Sequence, residues 1–236
     1  MKQEIIYGLR PVIEVLRSKR REVHEVLDSV GDKKISSEAT ARGVAVKRVP
    51  RDRIEEMAQG GMHQGVMAQV GAYPYSGLEE ILVAPDPLVV VLDGVTDPRN
   101  LGAVLRVADG AGVSGVVVPK DRAAGVTPAA VKASAGASEH VRVARETNLR
   151  RALEKMKEAG MWAYAAEGGA RSSAYPNLDL SGPVTFVLGS EGRGLRRLVR
   201  EGCDGAVSIP MHGAVSSLNV SVAAAVLLFE ARRQRS

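Results

Sequence analysis

Six short apolar runs recur through the second part of the chain, and they limit its fold more than any other feature. The runs read LVVVL, GVVVP, VRV, WAYAA, VTFVL and AVSIP, and they lie between residues 88 and 210. Strands that are apolar at nearly every position are typical of a parallel sheet covered by helices on both faces. An aromatic content of only 3% agrees with such a core, which Val, Ala and Leu would fill. The pattern predicts an α/β domain over residues 88–236.

Helices are expected between most of these strands, at residues 100–112, 147–160 and 194–202, and from Ser217 onward. Thr147 is predicted to cap the second of these helices, and Gly160 to end it. Ser217 is a candidate cap for the last helix, because a long apolar helical run follows it.

Residues 1–70 have a different rhythm, in which short helices and strands alternate. Helices are predicted at residues 8–19, 36–43 and 50–61, and strands at residues 22–28, 44–49 and 64–70. This pattern indicates a small α/β domain that is compact enough to fold alone. The stretch GAYPYSGLEEILVAPDP, residues 71–87, is rich in Gly and Pro and is predicted to be a linker.

The charged and sulfur-containing residues restrict the possible functions. The formal net charge of +5 permits a polyanionic partner, and clustered arginines near the glycines of residues 189–194 indicate phosphate contacts. The single cysteine, Cys203, excludes an internal disulfide and is expected to be a packing residue. The four histidines lack metal-ligand spacing, so no metal is expected. No signal peptide or membrane-spanning run is visible, which predicts a cytoplasmic protein without membrane contact.

Polar side chains follow three of the predicted strands. Asn100 and Arg106 come after LVVVL, Glu191 lies in a glycine-rich loop after VTFVL, and Ser217 and Asn219 come after AVSIP. Ligands of open α/β sheets bind beyond the carboxyl ends of the strands, so these residues are candidate site residues. Arg106 falls among apolar neighbours, where a buried guanidinium would need an anionic partner.

Simpler interpretations exist for some of these residues, and several enzyme classes are excluded. Asn100 and Ser217 could be ordinary helix caps. The chain has neither the G-x-S-x-G elbow of a hydrolase nor the metal- and phosphate-binding parts of a kinase. The chemistry that remains is the handling of a phosphate or a ribose without a metal.

The three segments that carry these polar side chains resemble the motifs of the SpoU (TrmH-like) family of RNA 2′-O-ribose methyltransferases. The resemblance rests on DGVTDPRNLGAVLRVADGAGV, FVLGSEGRGLRRLV and IPMHGAVSSLNVSVAAAVLLFE, in this order, within residues 88–233. The segments YGLRPVIEVL and HQGVMAQV are similar to the small RNA-binding domain, itself similar to a ribosomal-protein fold, of the branch that acts on 23S ribosomal RNA.

The resemblance implies a fold, a cofactor and an assembly that periodicity and spacing do not. The catalytic domain would contain a trefoil knot, would bind S-adenosyl-L-methionine, and would work as a homodimer with its site near the subunit interface. The cofactor-binding residues implied by the family are Leu188, Gly189, Gly194, Ile209, Met211 and Leu218. The active-site residues implied by the family are Asn100, Arg106, Glu191, Ser217 and Asn219.

The substrate implied by this resemblance is a guanosine in 23S rRNA. Transfer RNA and another rRNA nucleotide remain alternatives. A non-catalytic RNA-binding protein is a further alternative. A dinucleotide-dependent oxidoreductase is disfavoured, because the chain lacks an early G-x-G-x-x-G.

Overall fold

The computed structural model describes residues 3–169 and 172–235. Its first sheet contains β1 (Glu4–Tyr7), β2 (Val23–Asp28), β3 (Val46–Arg48) and β4 (Val66–Val70). The helices of the same part of the chain are α1 (Leu9–Ser18), α2 (Lys33–Arg42) and α3 (Arg51–Ala58). The strand order is β1-β4-β2-β3. Strand β4 pairs antiparallel with both β1 and β2. The predicted small α/β unit is confirmed, and β1 is a strand that the sequence pattern missed.

The second sheet contains seven strands in the described residues. They are β5 (Leu88–Asp93), β6 (Gly115–Pro119), β7 (Val143–Glu146), β8 (Trp162–Ala166), β9 (Ser172–Ala174), β10 (Val184–Gly189) and β11 (Gly205–Ser208). Their order is β7-β6-β5-β10-β8-β11-β9, and every pair is parallel. The helices beside it are α4 (Leu78–Leu82), α5 (Pro98–Gly110), α6 (Pro128–Ala133), α7 (Leu149–Glu158), α8 (Arg197–Arg200) and α9 (Val220–Gln234), with short 3₁₀ helices at Ala137–Glu139 and Tyr175–Asn177.

The prediction of a covered parallel sheet is confirmed, while some boundaries differ. The run VRV was predicted as a strand at residues 141–143, but the strand is Val143–Glu146. The predicted helix at residues 194–202 is reduced to α8, because Gly194 has φ of 65° and belongs to the preceding turn. The trefoil knot stays a prediction, since strand order and pairing do not define the path of the chain through a loop.

Two predicted helix caps are wrong by one or two positions. The N-cap of α7 is Asn148 and not Thr147, and its side chain accepts a hydrogen bond from Arg151 N at 3.2 Å. The N-cap of α9 is Asn219 and not Ser217, since α9 begins only at Val220. Ser, Thr and Asn are all good N-caps, so the position where the backbone turns into the helix decides between neighbours.

Residues 71–87, predicted to be a linker, pack closely against the large sheet. The hydroxyl of Tyr73, which is buried, donates to Ser138 O at 2.8 Å. Leu78 and Ile81 of α4 belong to a buried apolar cluster with residues of β5 and β6. The domain boundaries at residues 70 and 88 stay a prediction.

A buried ion pair joins the small sheet's unit to the large one. Arg21 Nη2 lies 2.5 Å from Glu139 Oε1, and Arg21 Nε donates to Glu139 Oε2 at 3.0 Å. The two side chains are only 2% and 1% exposed. A single apolar cluster also runs through both units, from residues of β1 and α1 to residues of β5 and α9. The two units are therefore held in one arrangement by both charge and apolar packing.

None of the helices within residues 3–169 and 172–235 has the length and apolar character that crossing a bilayer requires.

Candidate active site

Three of the predicted site residues meet at the carboxyl edge of the large sheet. Asn100 lies in the first turn of α5, Glu191 follows β10, and Asn219 caps α9. Asn219 Nδ2 donates to Glu191 Oε1 at 2.7 Å and to Asn100 Oδ1 at 3.1 Å, and Asn100 Nδ2 donates to Glu191 Oε1 at 3.2 Å. The sheet explains this meeting, because β5 and β10 are paired up to their last residues, Asp93 and Gly189. These three side chains are called the amide–carboxylate cluster below.

The helix cap at Asn219 also orients its amide. Asn219 Oδ1 accepts from Ser221 N at 2.9 Å and from Ser221 Oγ at 2.6 Å. With the oxygen turned toward α9, the Nδ2 group must point away from the helix and toward Glu191. One side chain therefore performs two tasks, since it begins the helix and donates to the cluster.

The loop that carries Glu191 is held in a tight turn by glycines. Gly194 N donates to Ser190 O at 2.9 Å, and Gly192 and Gly194 have φ of 80° and 65°. A Cβ atom on Gly189 would lie 2.3 Å from the carbonyl carbon of Gly194. The close approach of strand and loop thus requires glycine at residue 189.

A buried carboxylate fixes the far end of the same loop. Asp93 has a side chain with 0% exposure, and its Oδ1 accepts from Arg196 Nε at 2.6 Å. Its Oδ2 accepts from Arg196 N at 2.8 Å. This role of Asp93 was not predicted, although an acidic residue that ends an otherwise apolar strand is a usable signal.

A cavity of about 520 Å³ adjoins the amide–carboxylate cluster. It is lined by residues 166–168, 207–209, 211, 213–218, 223 and 227. Three of the predicted cofactor-binding residues, Ile209, Met211 and Leu218, belong to this lining. Leu218 precedes Asn219 in the chain, so cavity and cluster are neighbours.

The other three predicted cofactor-binding residues do not line this cavity. Leu188 is 2% exposed and lies in the apolar core. Gly189 packs against Gly194, and Gly194 lines a second cavity of about 500 Å³ together with Glu191. These residues shape the loop beside the first cavity instead of forming its wall.

Ser217 and Arg106 lie outside the hydrogen-bonded cluster. Ser217 lines the first cavity and is exposed. Arg106 needs no buried anionic partner, because its side chain is exposed and forms no ion pair or hydrogen bond within the described part of the chain. Six residues of α-helix separate it from Asn100, which corresponds to about 9 Å along the axis and a different face. Its apolar sequence neighbours form the buried stripe of α5, whereas Arg106 lies beside that stripe.

Within residues 3–169 and 172–235, no group of His, Cys, Asp and Glu side chains is arranged to hold a metal ion. The amide–carboxylate cluster offers two amides and one carboxylate beside a mixed polar and apolar cavity. Such a combination can hold a small organic ligand and orient a hydroxyl group next to it.

Comparisons with known proteins show the family to which the chain belongs. The sequence profile of the SpoU rRNA methylase family matches residues 87–229, and the profile for the substrate-binding domain of RNA 2′-O ribose methyltransferases matches residues 5–76. The 23S rRNA (guanosine-2′-O-)-methyltransferase RlmB of Pseudomonas putida is 44% identical over an alignment of 241 positions, which covers 98% of this chain and 97% of that protein.

A second relative and a solved structure extend the comparison. An uncharacterized tRNA/rRNA methyltransferase of Mycolicibacterium smegmatis is 42% identical over 98% of this chain and 77% of its own length. The crystal structure of the SpoU methyltransferase AviRb from Streptomyces viridochromogenes in complex with AdoMet superposes with a TM-score of 0.84 at 28% identity, over 99% of this chain and 90% of that one.

Fold and comparisons together define an α/β enzyme built on a parallel sheet. The chain belongs to the SpoU rRNA methylase family, and its enzyme class is RNA 2′-O-ribose methyltransferase. The family and the enzyme class predicted from the sequence motifs are confirmed.

Proposed function

We propose that this protein transfers a methyl group from S-adenosyl-L-methionine to the ribose 2′-hydroxyl of a guanosine in 23S rRNA. The observation that carries the proposal is the amide–carboxylate cluster beside the cavity of about 520 Å³. The full-length similarity to RlmB supports the choice of substrate. A ribosomal RNA substrate would place the reaction in the cytoplasm.

The cavity fits the proposed cofactor in size and chemistry. Pockets for small molecules usually have volumes of roughly 300–1,000 Å³ and combine apolar walls with a few polar groups. Ile209, Met211 and Leu218 are the apolar part of the lining, and Glu167, Ser208, Ser216 and Ser217 are its polar part. S-adenosyl-L-methionine would bring an activated methyl group on a sulfonium. The AdoMet-bound AviRb structure supports this assignment.

The residues of the cluster would position the ribose for in-line attack. Glu191 Oε1 accepts hydrogen bonds from Asn100 and Asn219, which orients both amides. Glu191 Oε2 accepts no hydrogen bond within the described residues, so it can receive one from the 2′-hydroxyl. Ser217 and the two amides would contact the ribose and its neighbouring groups. Positioning of this kind lowers the barrier, because the reacting atoms meet in the right geometry.

Arg106 would act as a cation and not as a base. A guanidinium keeps its proton at neutral pH, because its charge is delocalised over the whole planar group and the cation is a very weak acid. It can hold the RNA phosphate in a two-pronged contact or stabilise the developing alkoxide. Neither role is open to it beside Asn100 of its own chain, from which it faces away.

A homodimer would bring Arg106 to a site. The exposed face of α9 carries Val222 and Phe229, which are 47% and 51% exposed. A Cβ atom on Gly110 would lie 3.7 Å from the Phe229 ring, and Arg106 is one helical turn before Gly110. Arg106 therefore borders this apolar face. We propose that a second copy of the chain covers this face, so that Arg106 of each copy reaches the site of the other copy.

Transfer RNA is the alternative substrate, since the name of the Mycolicibacterium relative includes both tRNA and rRNA. The test incubates the purified protein and labelled S-adenosyl-L-methionine with unmodified 23S rRNA or with unmodified bulk tRNA. We expect label only in 23S rRNA, with 2′-O-methylguanosine as the product after nuclease digestion. Label in tRNA alone, or in a methylated base instead of a ribose, would contradict the proposal.

A further inference from the structure

A cavity of about 540 Å³ lies between the small sheet's unit and the large one, on the side of α5 that carries Arg99. Its lining comes from Tyr7, residues 58–62, Arg99, Ala129, Lys132 and Ala133. We propose that this interdomain pocket binds one unstacked base of the RNA, with its phosphate, next to the methylated nucleotide. The inference rests on the proposed function for the nature of the ligand, and on the geometry below for the site.

One wall of the interdomain pocket is aromatic and apolar. Tyr7 is half-buried, and its hydroxyl forms no hydrogen bond within the described residues. Met62 is 79% exposed, which is unusual for so large an apolar side chain. Proteins that recognise single-stranded RNA stack its bases on aromatic side chains. A tyrosine ring with a free hydroxyl beside an exposed methionine is suited to one base.

A glycine keeps this wall in place. A Cβ atom on Gly61 would lie 2.6 Å from Tyr7 Cζ, so any larger residue would push the ring out of its position. The conformation of Gly61 is not one that only glycine adopts, since its φ is not in the left-handed region. The close approach to Tyr7 is therefore the physical reason for glycine at this position.

The opposite wall is positively charged. Arg99 and Lys132 line it, and none of the described lining residues is a carboxylate. The Arg99 guanidinium forms no hydrogen bond or ion pair within the described residues. Lys132 Nζ donates to Gln64 Oε1 at 2.8 Å, which leaves further donors free, and burial lowers the pKa of Lys132. A partly desolvated ammonium and a free guanidinium are complementary to a phosphate.

A neighbouring cavity shows why charge favours this pocket. The cavity that contains Arg106 and Arg10 also contains Glu14 and Asp109, so its charges are nearly balanced. The interdomain pocket has two cations and no such compensation. An anionic ligand is therefore attracted to the pocket that holds Arg99.

The position of the pocket links RNA binding to the reaction. Arg99 immediately precedes Asn100 of the amide–carboxylate cluster, so the pocket begins one residue away from the proposed ribose site. Gln64 Oε1 accepts from both Leu9 N, at 3.2 Å, and Lys132 Nζ, which ties the two walls together. A base held there would fix the adjacent nucleotide at the cluster.

The test uses a short single-stranded oligoribonucleotide that contains one guanosine followed by 2-aminopurine, whose fluorescence falls when it stacks on an aromatic ring. We expect quenching on binding to the full-length protein. Tyr7→Leu should abolish the quenching and weaken binding about 10-fold, since a base–aromatic stack contributes on that scale. Tyr7→Phe should behave as the unchanged protein, and Tyr175→Leu on the large domain is the matched control.

Gly61→Ala tests the geometry of the wall without removing the ring. As a single change, it should reduce the quenching. Added to Tyr7→Leu, it should have no further effect, because both changes act on the same contact. In methyl transfer, Tyr7→Leu should raise the KM for RNA while S-adenosyl-L-methionine binding stays unchanged.

The outcomes separate this inference from the proposed function. Loss of quenching in Tyr7→Leu but not in Tyr7→Phe supports the base site, whichever RNA is methylated. Quenching that is absent with the unchanged protein, or that persists in Tyr7→Leu, overturns the inference even if 23S rRNA is the substrate.

Discussion

The buried ion pair of Arg21 and Glu139 should make a large contribution to stability that depends on both charges being present. Glu139→Gln keeps the shape of the side chain but removes its charge, which leaves the Arg21 guanidinium buried. Removing one partner of a buried ion pair usually costs about 3–5 kcal/mol. Arg21 Nη1 still lies 3.1 Å from Glu4 Oε2, and that carboxylate is 26% exposed. We therefore expect a loss near the lower end, about 3 kcal/mol in the free energy of unfolding.

The assay is urea unfolding followed by circular dichroism. The double variant Arg21→Met with Glu139→Leu should restore most of the loss, because well-packed apolar residues often replace a buried pair at little cost. The matched control is Glu154→Gln, which breaks the exposed pair with Arg150, whose nearest atoms are 3.2 Å apart. It should change stability far less. Equal effects of Glu139→Gln and Glu154→Gln would refute the reasoning, as would a double variant that is less stable than Glu139→Gln.

Three further predictions concern the site and its surroundings. Asp93→Asn weakens the contacts that hold Arg196, so the loop after β10 should be displaced and the methyl-transfer rate should fall at least about 10-fold. Asp204→Asn, measured in the same assay, should leave the rate unchanged. Burial raises the pKa of the Cys203 thiol to about 12, so at pH 8.5 this cysteine should react with Ellman's reagent only after unfolding; rapid reaction of the folded protein would contradict this. Arg106→Lys should lose most activity with cofactor binding intact, because an ammonium lacks the two-pronged geometry of the guanidinium; near-normal turnover would exclude a geometric role.

The sequence predicted the parts of this molecule that depend on repeated patterns. Apolar strands identified the parallel sheet, and the carboxyl ends of such strands meet at one edge, which brought Asn100, Glu191 and Asn219 into one hypothesis. Thr147 was predicted as a cap and Ser217 was a candidate cap, because neighbouring cap-forming residues cannot be distinguished before the backbone turn is known. The apolar neighbours of Arg106 left open whether it is buried, because local composition does not show which stripe of a helix faces the core.

Features that depend on the docking of the two units could not be predicted from the sequence. Arg21 and Glu139 are far apart in the chain, and nothing local to either indicates the other. The interdomain pocket has the same origin, since Tyr7 and Arg99 form opposite walls only after both units have folded and packed. The stretch at residues 71–87 was predicted to be a linker because it is rich in Gly and Pro and its apolar pattern is weak, yet Tyr73, Leu78 and Ile81 are all buried.

The central claim is that the amide–carboxylate cluster carries out methyl transfer beside the cofactor cavity, and Asn219→Asp tests it most directly. Aspartate is as good an N-cap as asparagine, so α9 should remain intact. The change removes the two hydrogen bonds that Asn219 donates and sets a second carboxylate against Glu191.

The measurement is the single-turnover rate of methyl transfer to 23S rRNA, made together with the affinity for S-adenosyl-L-methionine and the midpoint of urea unfolding. We predict a rate at least about 100-fold lower, in line with the loss of positioned hydrogen-bonding groups, with the cofactor affinity and the midpoint nearly unchanged. A rate close to that of the unchanged protein would contradict the account.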